Sequence, residues 1–166
     1  MTSLSLAQWS GQGLDLLQRQ NTLEMTEHLG GPETAEQLRR RHERYLTLAD
    51  GQMFLVVLDD QVVGSVGYWP REWGGQLVYE TGYGILPEHQ GRGFAVDAVR
   101  LCAERAGRDG SRPWLHAFPS VHHASSNAVC RKAGFELLGV CEFEYPPGNV
   151  IQSNDWRLAL ARPNAG

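Results

Sequence analysis

The chain has few cysteines and no long apolar run. Its 166 residues include three cysteines, and the odd number without Cys-x-x-Cys spacing favours free thiols in a reducing compartment. No apolar run approaches the roughly 20 residues of a membrane-spanning helix. The first residues lack the basic stretch and apolar segment of a signal peptide. These absences predict a cytoplasmic protein with no membrane partner.

An excess of positive charge is also missing. The formal net charge is −4, which argues against a nucleic-acid partner, because such surfaces carry clustered Lys and Arg. Hydrophobic residues make up 42% of the chain and charged residues 20%, which is typical of a globular protein rather than a disordered one. The length fits one domain over residues 1–166.

Two common phosphate-binding motifs are absent. A P-loop requires a Lys-Ser or Lys-Thr pair, and the chain contains neither. A dinucleotide-binding turn requires Gly-x-Gly-x-x-Gly at the start of a βαβ unit. Here Gly91-x-Gly93 is followed by Val96 in the third glycine position, and the run lies in the middle of the chain.

A glycine-rich run nevertheless lies between a predicted strand at 76–86 and a predicted helix at 94–108. Its sequence is Gln90-Gly91-Arg92-Gly93-Phe94-Ala95. A turn from a strand into a helix leaves backbone N–H groups unpaired at the positive end of the helix. The run therefore predicts a seat for a phosphate or pyrophosphate, or, alternatively, a turn that only caps the helix.

Apolar periodicity and Gly/Pro stops predict the element order β α α β β β α β α β β. Helices inserted in a strand-rich chain indicate an α+β fold with a mixed sheet. A short loop is predicted at 70–75. The strands are predicted at 3–9, 53–58, 62–69, 76–86, 113–118, 135–145 and 154–161, and the helices at 14–29 (one helix or a broken pair), 33–48, 94–108 and 125–133.

Two motifs carry a resemblance to a known family. The pattern Gln-x-x-Gly-x-Ala at 90–95 resembles the acyl-CoA pyrophosphate loop of the GCN5-related N-acetyltransferase (GNAT) superfamily. The segment 126–135, Ser-Asn-Ala-Val-Cys-Arg-Lys-Ala-Gly-Phe, resembles N-x-x-S-x-x-V-L-x-K-x-G-F of its RimJ/RimL-like branch. Residues 154–158 look like the final strand of that branch. The resemblance runs from about 53 to 160 and, more loosely, over the first fifty residues.

The resemblance implies a three-layer α/β acyl-CoA N-acyltransferase fold within the α+β class. Its central sheet is mixed and mostly antiparallel, with a splayed parallel strand pair, here 76–86 and 113–118, and helices on both faces. The implied co-substrate is acetyl-CoA, and no metal is expected. The implied cofactor-binding residues are Ile85, Leu86, Gln90, Gly91, Arg92, Gly93, Phe94, Ala95, His123 and Asn127.

Each group of these residues would bind a different part of the cofactor. The diphosphate would rest on backbone N–H groups of 91–95, where Gly93 permits close approach. Arg92 would either contact phosphate or remain solvated. The pantetheine arm would pair with free backbone groups around Ile85 and Leu86, like an added strand. His123 occupies the branch's usual asparagine position and can still donate to an amide carbonyl, and Asn127 is available to compensate.

The implied chemistry is acetyl transfer from a thioester to a primary amine by direct attack in a ternary complex. Glu80 is the predicted base, because members of the superfamily often place an acidic residue on this strand; the other possibility is that it faces solvent. Many members use a tyrosine for the leaving thiolate, and Cys130 stands in its place. Ser126 is therefore the predicted thiolate donor, a role compatible with capping the helix.

Two other chemistries are disfavoured, and the acceptor stays open. His116, His122 and His123 lack zinc-site spacing, and Cys130 has no evident base to activate it as a nucleophile. The acceptor is a protein N-terminus or a small-molecule amine. Trp69, Trp73, Tyr79 and Tyr83 either line its pocket or pack in the core. The competing function is a non-catalytic acyl-CoA-binding or sensing module. The exposed last strands suggest a homodimer.

Overall fold

The computed structural model describes residues 3–161, and its elements follow the predicted order. A 3-10 turn at Pro87–His89 precedes the glycine-rich loop. The helices are α1 (Gly13–Gln20), α2 (Ala35–Leu46), α3 (Phe94–Asp109) and α4 (Ala124–Lys132). The strands are β1 (Leu4–Gln8), β2 (Gln52–Leu58), β3 (Gln61–Trp73), β4 (Gln76–Ile85), β5 (Trp114–Ala117), β6 (Glu136–Glu144) and β7 (Val150–Ala159).

The strands form one 7-stranded sheet in the order β1-β2-β3-β4-β5-β7-β6. The β4–β5 pair is parallel and the other neighbours are antiparallel. The parallel pair is joined at two positions, Tyr79 with Leu115 and Glu80 with His116. β4 continues to Ile85 beyond the point where β5 departs. The predicted fold class, with its splayed parallel pair, is confirmed.

Each face of the sheet carries its own apolar core. On one face, α3 buries Ala98, Val99 and Cys102 against sheet residues that include Tyr68 and Tyr79. On the other, α1 and α2 bury their leucines beside residues of β2, with Trp9 closing the cluster; its members are Trp9, Leu16, Leu17, Leu38, Met53, Leu55 and Leu86. Full burial of each leucine side chain contributes about 1.5–3 kcal/mol. None of the helices in the described part is long and apolar enough to cross a membrane.

The first helix is shorter than the range 14–29 that was predicted for one helix or a broken pair. α1 ends at Gln20, and the residues after it form turns. The side chain of Asn21 accepts from the N–H of Glu33 at 2.8 Å and donates to its carbonyl at 2.9 Å. Asparagine competes with the helix by bonding to backbone groups in this way. α2 then begins at the capping box formed by Thr34 and Gln37.

The predicted loop at 70–75 is wrong, because β3 continues to Trp73. Hydrogen-bonded pairs alternate along an antiparallel ladder, and Pro70, opposite Tyr79, falls at a pair without hydrogen bonds. On its other side, the pairing of β2 with β3 reaches no further than Tyr68. The missing N–H of Pro70 therefore removes no ladder bond, which is where a strand tolerates proline. β7 also begins earlier than predicted, at Val150.

Tyr79 fastens β4 to the loops at one end of the sheet. Its side chain is fully buried, and its hydroxyl donates to Oδ1 of Asp50 at 2.6 Å and accepts from the N–H of Ser111 at 3.0 Å. Both bonds depend on one oxygen atom. Its removal leaves the Ser111 N–H without that acceptor and Asp50 without that donor.

We expect Tyr79→Phe to lower the free energy of unfolding by about 1–2 kcal/mol, because a buried hydrogen-bonded group is lost. Urea denaturation followed by circular dichroism measures the change. The control is Tyr145→Phe, since Tyr145 is exposed and surface substitutions shift stability by about 0.5 kcal/mol or less. Equal losses in both variants would contradict this role for Tyr79.

Candidate functional site

The glycine-rich loop presents open backbone N–H groups at the start of α3. Gly91 and Gly93 both have left-handed backbone, with φ of +79° and +82°. The N–H of Asp97 bonds back to the carbonyl of Gly93 at 3.2 Å, so the N–H groups of the preceding residues 94–96 lie before the first intrahelical bond. A Cβ added to either glycine would meet open space. The geometry suits an anion.

Gln90 and Arg92 differ in how they are held. The Gln90 side chain donates to the Ile85 carbonyl at 2.8 Å and so fastens the loop to the end of β4. Arg92 is exposed, and its guanidinium lies 4.6 Å from the ring centroid of Phe94. Phe94 itself is buried in the core. A phosphate contact from Arg92 stays a prediction.

The end of β4 offers backbone groups to the cleft left by β5. The Leu86 N–H donates to the carbonyl of Val63 on the β3 side, and the Leu86 carbonyl accepts from the His89 N–H. By alternation, Tyr83 and Ile85 turn their backbone groups to the opposite side, beyond the last β4–β5 pair. The Ile85 carbonyl is taken by Gln90. Ile85 thus keeps a cleft-facing N–H, whereas the predicted Leu86 contact has its backbone groups engaged elsewhere.

Ser126 meets a tyrosine at the start of α4. The Tyr83 hydroxyl lies 2.9 Å from Ser126 Oγ, 3.0 Å from the Ser126 carbonyl and 3.4 Å from Cys130 Sγ. Ser126 is partly exposed and Cys130 buried. Burial raises the pKa of the Cys130 thiol to about 11 and holds the pKa of Tyr83 well above its usual range. All three groups are therefore neutral near pH 7.

Asn127 is a structural junction. Its side-chain amide donates to the carbonyls of Ser120 and His123, and its oxygen accepts from Asn154 and from the indole of Trp156, all at 2.8–3.0 Å. Two donors and two acceptor sites complete the capacity of an amide. The predicted contact of Asn127 with the cofactor stays a prediction, and the structure assigns its hydrogen bonds to holding α4 against β7.

His123 precedes α4 and stacks on His28, with ring centroids 4.4 Å apart. Burial and the nearby His28 lower the pKa of His123, and Glu27 acts in the opposite direction. The imidazole is thus neutral near pH 7 and keeps one N–H donor. The structure places it beside the segment after α1, and its predicted contact with the pantetheine arm stays a prediction.

Glu80 lies on the other face of β4, at the last pair before the strands separate. Its side chain is 12% exposed and accepts from Arg71 at 2.9 Å. Burial raises the pKa of the Glu80 carboxyl above its usual value, while the Arg71 charge, a hydrogen bond from Trp69 and the nearby His116 act against it. Glu80 is therefore largely buried and paired with Arg71, and the alternative prediction that it faces solvent is wrong.

An aromatic and polar wall surrounds this carboxylate. The Arg71 guanidinium lies 4.4–5.6 Å from the ring centroids of Trp73, Phe118 and Phe143. Of the predicted aromatic set, Trp69 and Trp73 share the face of Glu80 by register, whereas Tyr79 is in the core and Tyr83 meets α4.

Beside this wall, one carboxylate holds two partners. Asp155 contacts His116 Nδ1 at 2.7 Å through Oδ1 and accepts from the Trp73 indole at 3.0 Å through Oδ2. His116 is buried, and it is the register partner of Glu80 across the β4–β5 pair. The amide and carboxylate groups of β7 thus support both faces of the cleft.

Four residues of the site were not predicted in the roles that the structure gives them: Arg71, Tyr83, His116 and Asp155. Arg71 was hidden because Pro70 suggested a loop. His116 was weighed only as a metal ligand, and Tyr83 only as pocket lining or core. Alternation along β4 does place Tyr83 and Glu80 on opposite faces, but their partners come from distant strands and helices. Among the described residues, no group of three or more His, Cys, Asp or Glu side chains is placed to hold a metal ion.

Comparison with known proteins bears on this arrangement. A family model described as an acetyltransferase (GNAT) domain matches residues 4–136. No curated protein matches the chain. Among solved structures, RimL, a ribosomal L7/L12 α-N-protein acetyltransferase in complex with coenzyme A, superposes with a TM-score of 0.79 at 17% identity, covering 97% of this chain and 96% of that one.

Two further structures share the fold at similar distance. An aminoglycoside acetyltransferase in complex with coenzyme A has a TM-score of 0.77 at 17% identity, with 95% of each chain covered. A spermidine N-acetyltransferase from Vibrio cholerae, in complex with CoA and spermine, has a TM-score of 0.77 at 16% identity, again with 95% of each covered. The family match spans most of the chain, and it confirms the GNAT family that the two motifs predicted. The chain belongs to the GNAT acetyltransferase family.

Proposed function

We propose that this chain transfers an acetyl group from acetyl-CoA to a primary amine, which is a protein N-terminus or a small molecule, by direct attack in a ternary complex. The observation that carries the proposal is the opening of the sheet after Glu80 and His116. It leaves a cleft with the glycine-rich loop at one end, Ser126 on one face and Glu80 on the other.

The loop and the β4 edge bind the donor. The backbone N–H groups of 91–95 lie at the positive end of α3, where the space beside Gly91 and Gly93 is open, and this is where a diphosphate binds best. The pantetheine arm then follows β4 as an added strand and pairs with the groups that β5 leaves unpaired, including the N–H of Ile85. Gln90 supports this edge by holding the Ile85 carbonyl.

The reacting groups then lie on either side of the strand. The amine approaches from the Glu80 face, loses its ammonium proton to that carboxylate and attacks the carbonyl carbon. The second nitrogen proton leaves to solvent as the tetrahedral intermediate collapses. A cleft-facing backbone N–H stabilises the oxyanion. The C–S bond breaks with its electron pair on sulfur, and the Ser126 hydroxyl donates a hydrogen bond to the thiolate. Holding both substrates in one cleft supplies much of the rate.

Direct attack is favoured over an acetyl-cysteine intermediate. The thiolate, not the thiol, is the nucleophile, and burial raises the pKa of the Cys130 thiol to about 11. Its nearest hydrogen-bonding side chain is the Tyr83 hydroxyl at 3.4 Å, whose own pKa is also raised. Neither group is a base near neutral pH.

Release of free CoA from acetyl-CoA tests the proposal. Spermidine, an aminoglycoside and a peptide with a free N-terminus are the amine probes, because the structural neighbours include acetyltransferases of these classes. We expect at least one amine to accelerate release above the hydrolysis background. Tight CoA binding without acceleration by any amine would overturn catalysis and leave the alternative function, an acyl-CoA-binding or sensing module.

The cellular location, the domain boundaries and the oligomeric state of this chain stay predictions. We keep a cytoplasmic location and one N-acetyltransferase domain over 1–166. A homodimer is supported by β6 at the edge of the sheet, where Leu137, Leu138 and Val140 are exposed together with Val150 of β7. Sedimentation velocity would show a monomer if the assembly prediction is wrong.

The loop assignment predicts the effect of Gly93→Val. A β-branched residue disfavours φ near +82° and adds bulk where the diphosphate must approach. We expect CoA affinity to fall at least 10-fold, measured by isothermal titration calorimetry. Gly75→Val is the matched control, because Gly75 has φ of +76°, similar open space and a place in the β3–β4 turn. Equal CoA binding by the two variants would refute the loop assignment.

The base assignment predicts a pH signature for Glu80→Gln. Below the pKa of the amine the base must remove a proton, so we expect kcat to fall about 10²-fold or more there. Above that pKa the amine is already neutral, and the deficit shrinks. The exposed Glu72 of β3 supplies the control, Glu72→Gln, with wild-type rates. A deficit that is constant with pH, or absent, would remove Glu80 as the base.

A further inference from the structure

We propose that Tyr83 is a positioning residue for the leaving thiolate: its hydroxyl donates to Ser126 Oγ and thereby aims the serine proton into the cleft. The inference rests on the proposed function and deepens it. It concerns the direction of the Ser126 O–H bond, which the rotating serine side chain does not fix by itself.

The contacts around the Tyr83 hydroxyl decide which group donates. Its neighbours are Ser126 Oγ at 2.9 Å, the Ser126 carbonyl at 3.0 Å and Cys130 Sγ at 3.4 Å. Only Tyr83 can donate in the carbonyl contact, whereas either hydroxyl can donate in the Oγ contact. The Ser126 carbonyl is also placed to accept the N–H of Cys130, four residues on in α4. A phenol is a stronger acid than an aliphatic hydroxyl and therefore the better donor. The Tyr83 proton is best used at Ser126 Oγ.

A serine on the first turn of a helix has other uses for its proton. Its hydroxyl rotates among staggered positions, and serine often bonds back to a carbonyl of the preceding turn. Once Tyr83 occupies an acceptor site on Ser126 Oγ, the O–H bond of the serine points away from it. Ser126 is only partly buried, and in the proposed arrangement its open side faces the cleft beyond the last β4–β5 pair.

Tyr83 keeps its proton throughout this role. Burial and the neighbouring Cys130 hold its pKa well above the usual range, so transfer of the phenolic proton would place a negative charge in a buried position. The nitrogen–carbon bond forms, one ammonium proton goes to Glu80, the second nitrogen proton leaves to solvent as the intermediate collapses, and the electron pair of the broken C–S bond stays on sulfur. The thiolate is stabilised by the Ser126 hydrogen bond and takes a proton from solvent after release.

The position of Tyr83 on β4 makes the arrangement possible. It lies three residues after Glu80 and past the last β4–β5 pair, where its side chain reaches α4 on the face opposite Glu80. One strand thus carries a group for the amine and a group for the thiolate, separated by its own backbone. Tyr83 could instead serve only to pack α4 on the sheet, and the experiment separates the two roles.

The experiment measures single-turnover rates of Tyr83→Phe, Ser126→Ala and the double variant, with the fastest of the three amine probes. Two donors are compared: acetyl-CoA and acetyl-seleno-CoA, whose selenol is a far more acidic leaving group. We expect Tyr83→Phe to slow transfer from acetyl-CoA about 10-fold at unchanged CoA affinity, and transfer from the selenoester less than 2-fold. The double variant should be no slower than Ser126→Ala. Tyr79→Phe, another β4 tyrosine on the same face, is the control for lost stability and should retain wild-type rates.

Four outcomes would overturn the inference. Equal slowing with both donors, or multiplied losses in the double variant, would show that Tyr83 acts through packing alone. Wild-type rates for Ser126→Ala would remove the serine from the thiolate role and Tyr83 with it, while acetyl transfer itself would stand. A wild-type protein that no amine accelerates would overturn both this inference and the proposed function.

Discussion

The site depends on backbone pairing that stops early. β4 and β5 are joined at only two residue pairs, although β4 runs on for five further residues. A strand edge with free N–H and C=O groups is normally a liability that proteins cover. Here the free edge lies inside the sheet, where it is shielded by α3 and α4, and it is available to a ligand that can pair like a strand. The loop, the serine and the carboxylate are all placed around this opening.

The two faces of the opening differ electrically. On the α4 face, Tyr83, Ser126 and Cys130 are neutral donors held close together, which suits a site where a sulfur becomes negative. On the other face, each carboxylate has a partner: Glu80 forms an ion pair with Arg71, and Asp155 forms a hydrogen bond with His116. Burial of an unpaired charge is costly, so the pairing keeps Glu80 in a buried position while burial still raises its pKa.

The pattern of the sequence predicted what is local. The order of elements follows from Gly and Pro stops and from apolar periods, and the loop at 90–95 could be identified because a strand, two glycines and a helix are adjacent in the chain. Ser126 is predicted from its own short motif, and its thiolate role stays a prediction. Arg71 was missed because proline usually ends a strand, and only the register with β2 and β4 shows that Pro70 costs no hydrogen bond.

The rest could not be predicted because it depends on register between distant segments. The side chain of Glu80 could have faced either way, since one step of register exchanges the faces of a strand. Tyr83 meets Ser126 across 43 residues, and His116 meets Asp155 across 39. Such pairs arise from the packing of complete elements, and no local sequence pattern predicts them.

The amide of Asn127 connects the last strand to the candidate site. It joins the residue after Ser126 to Asn154 and Trp156 of β7, and to the carbonyls that lead into α4. These bonds fix the position of the serine relative to β7, a strand about 30 residues further along the chain. β7 thus positions α4 at the candidate site, and we expect changes at Asn154 or Trp156 to shift Ser126 relative to β4 even where the sheet itself stays intact.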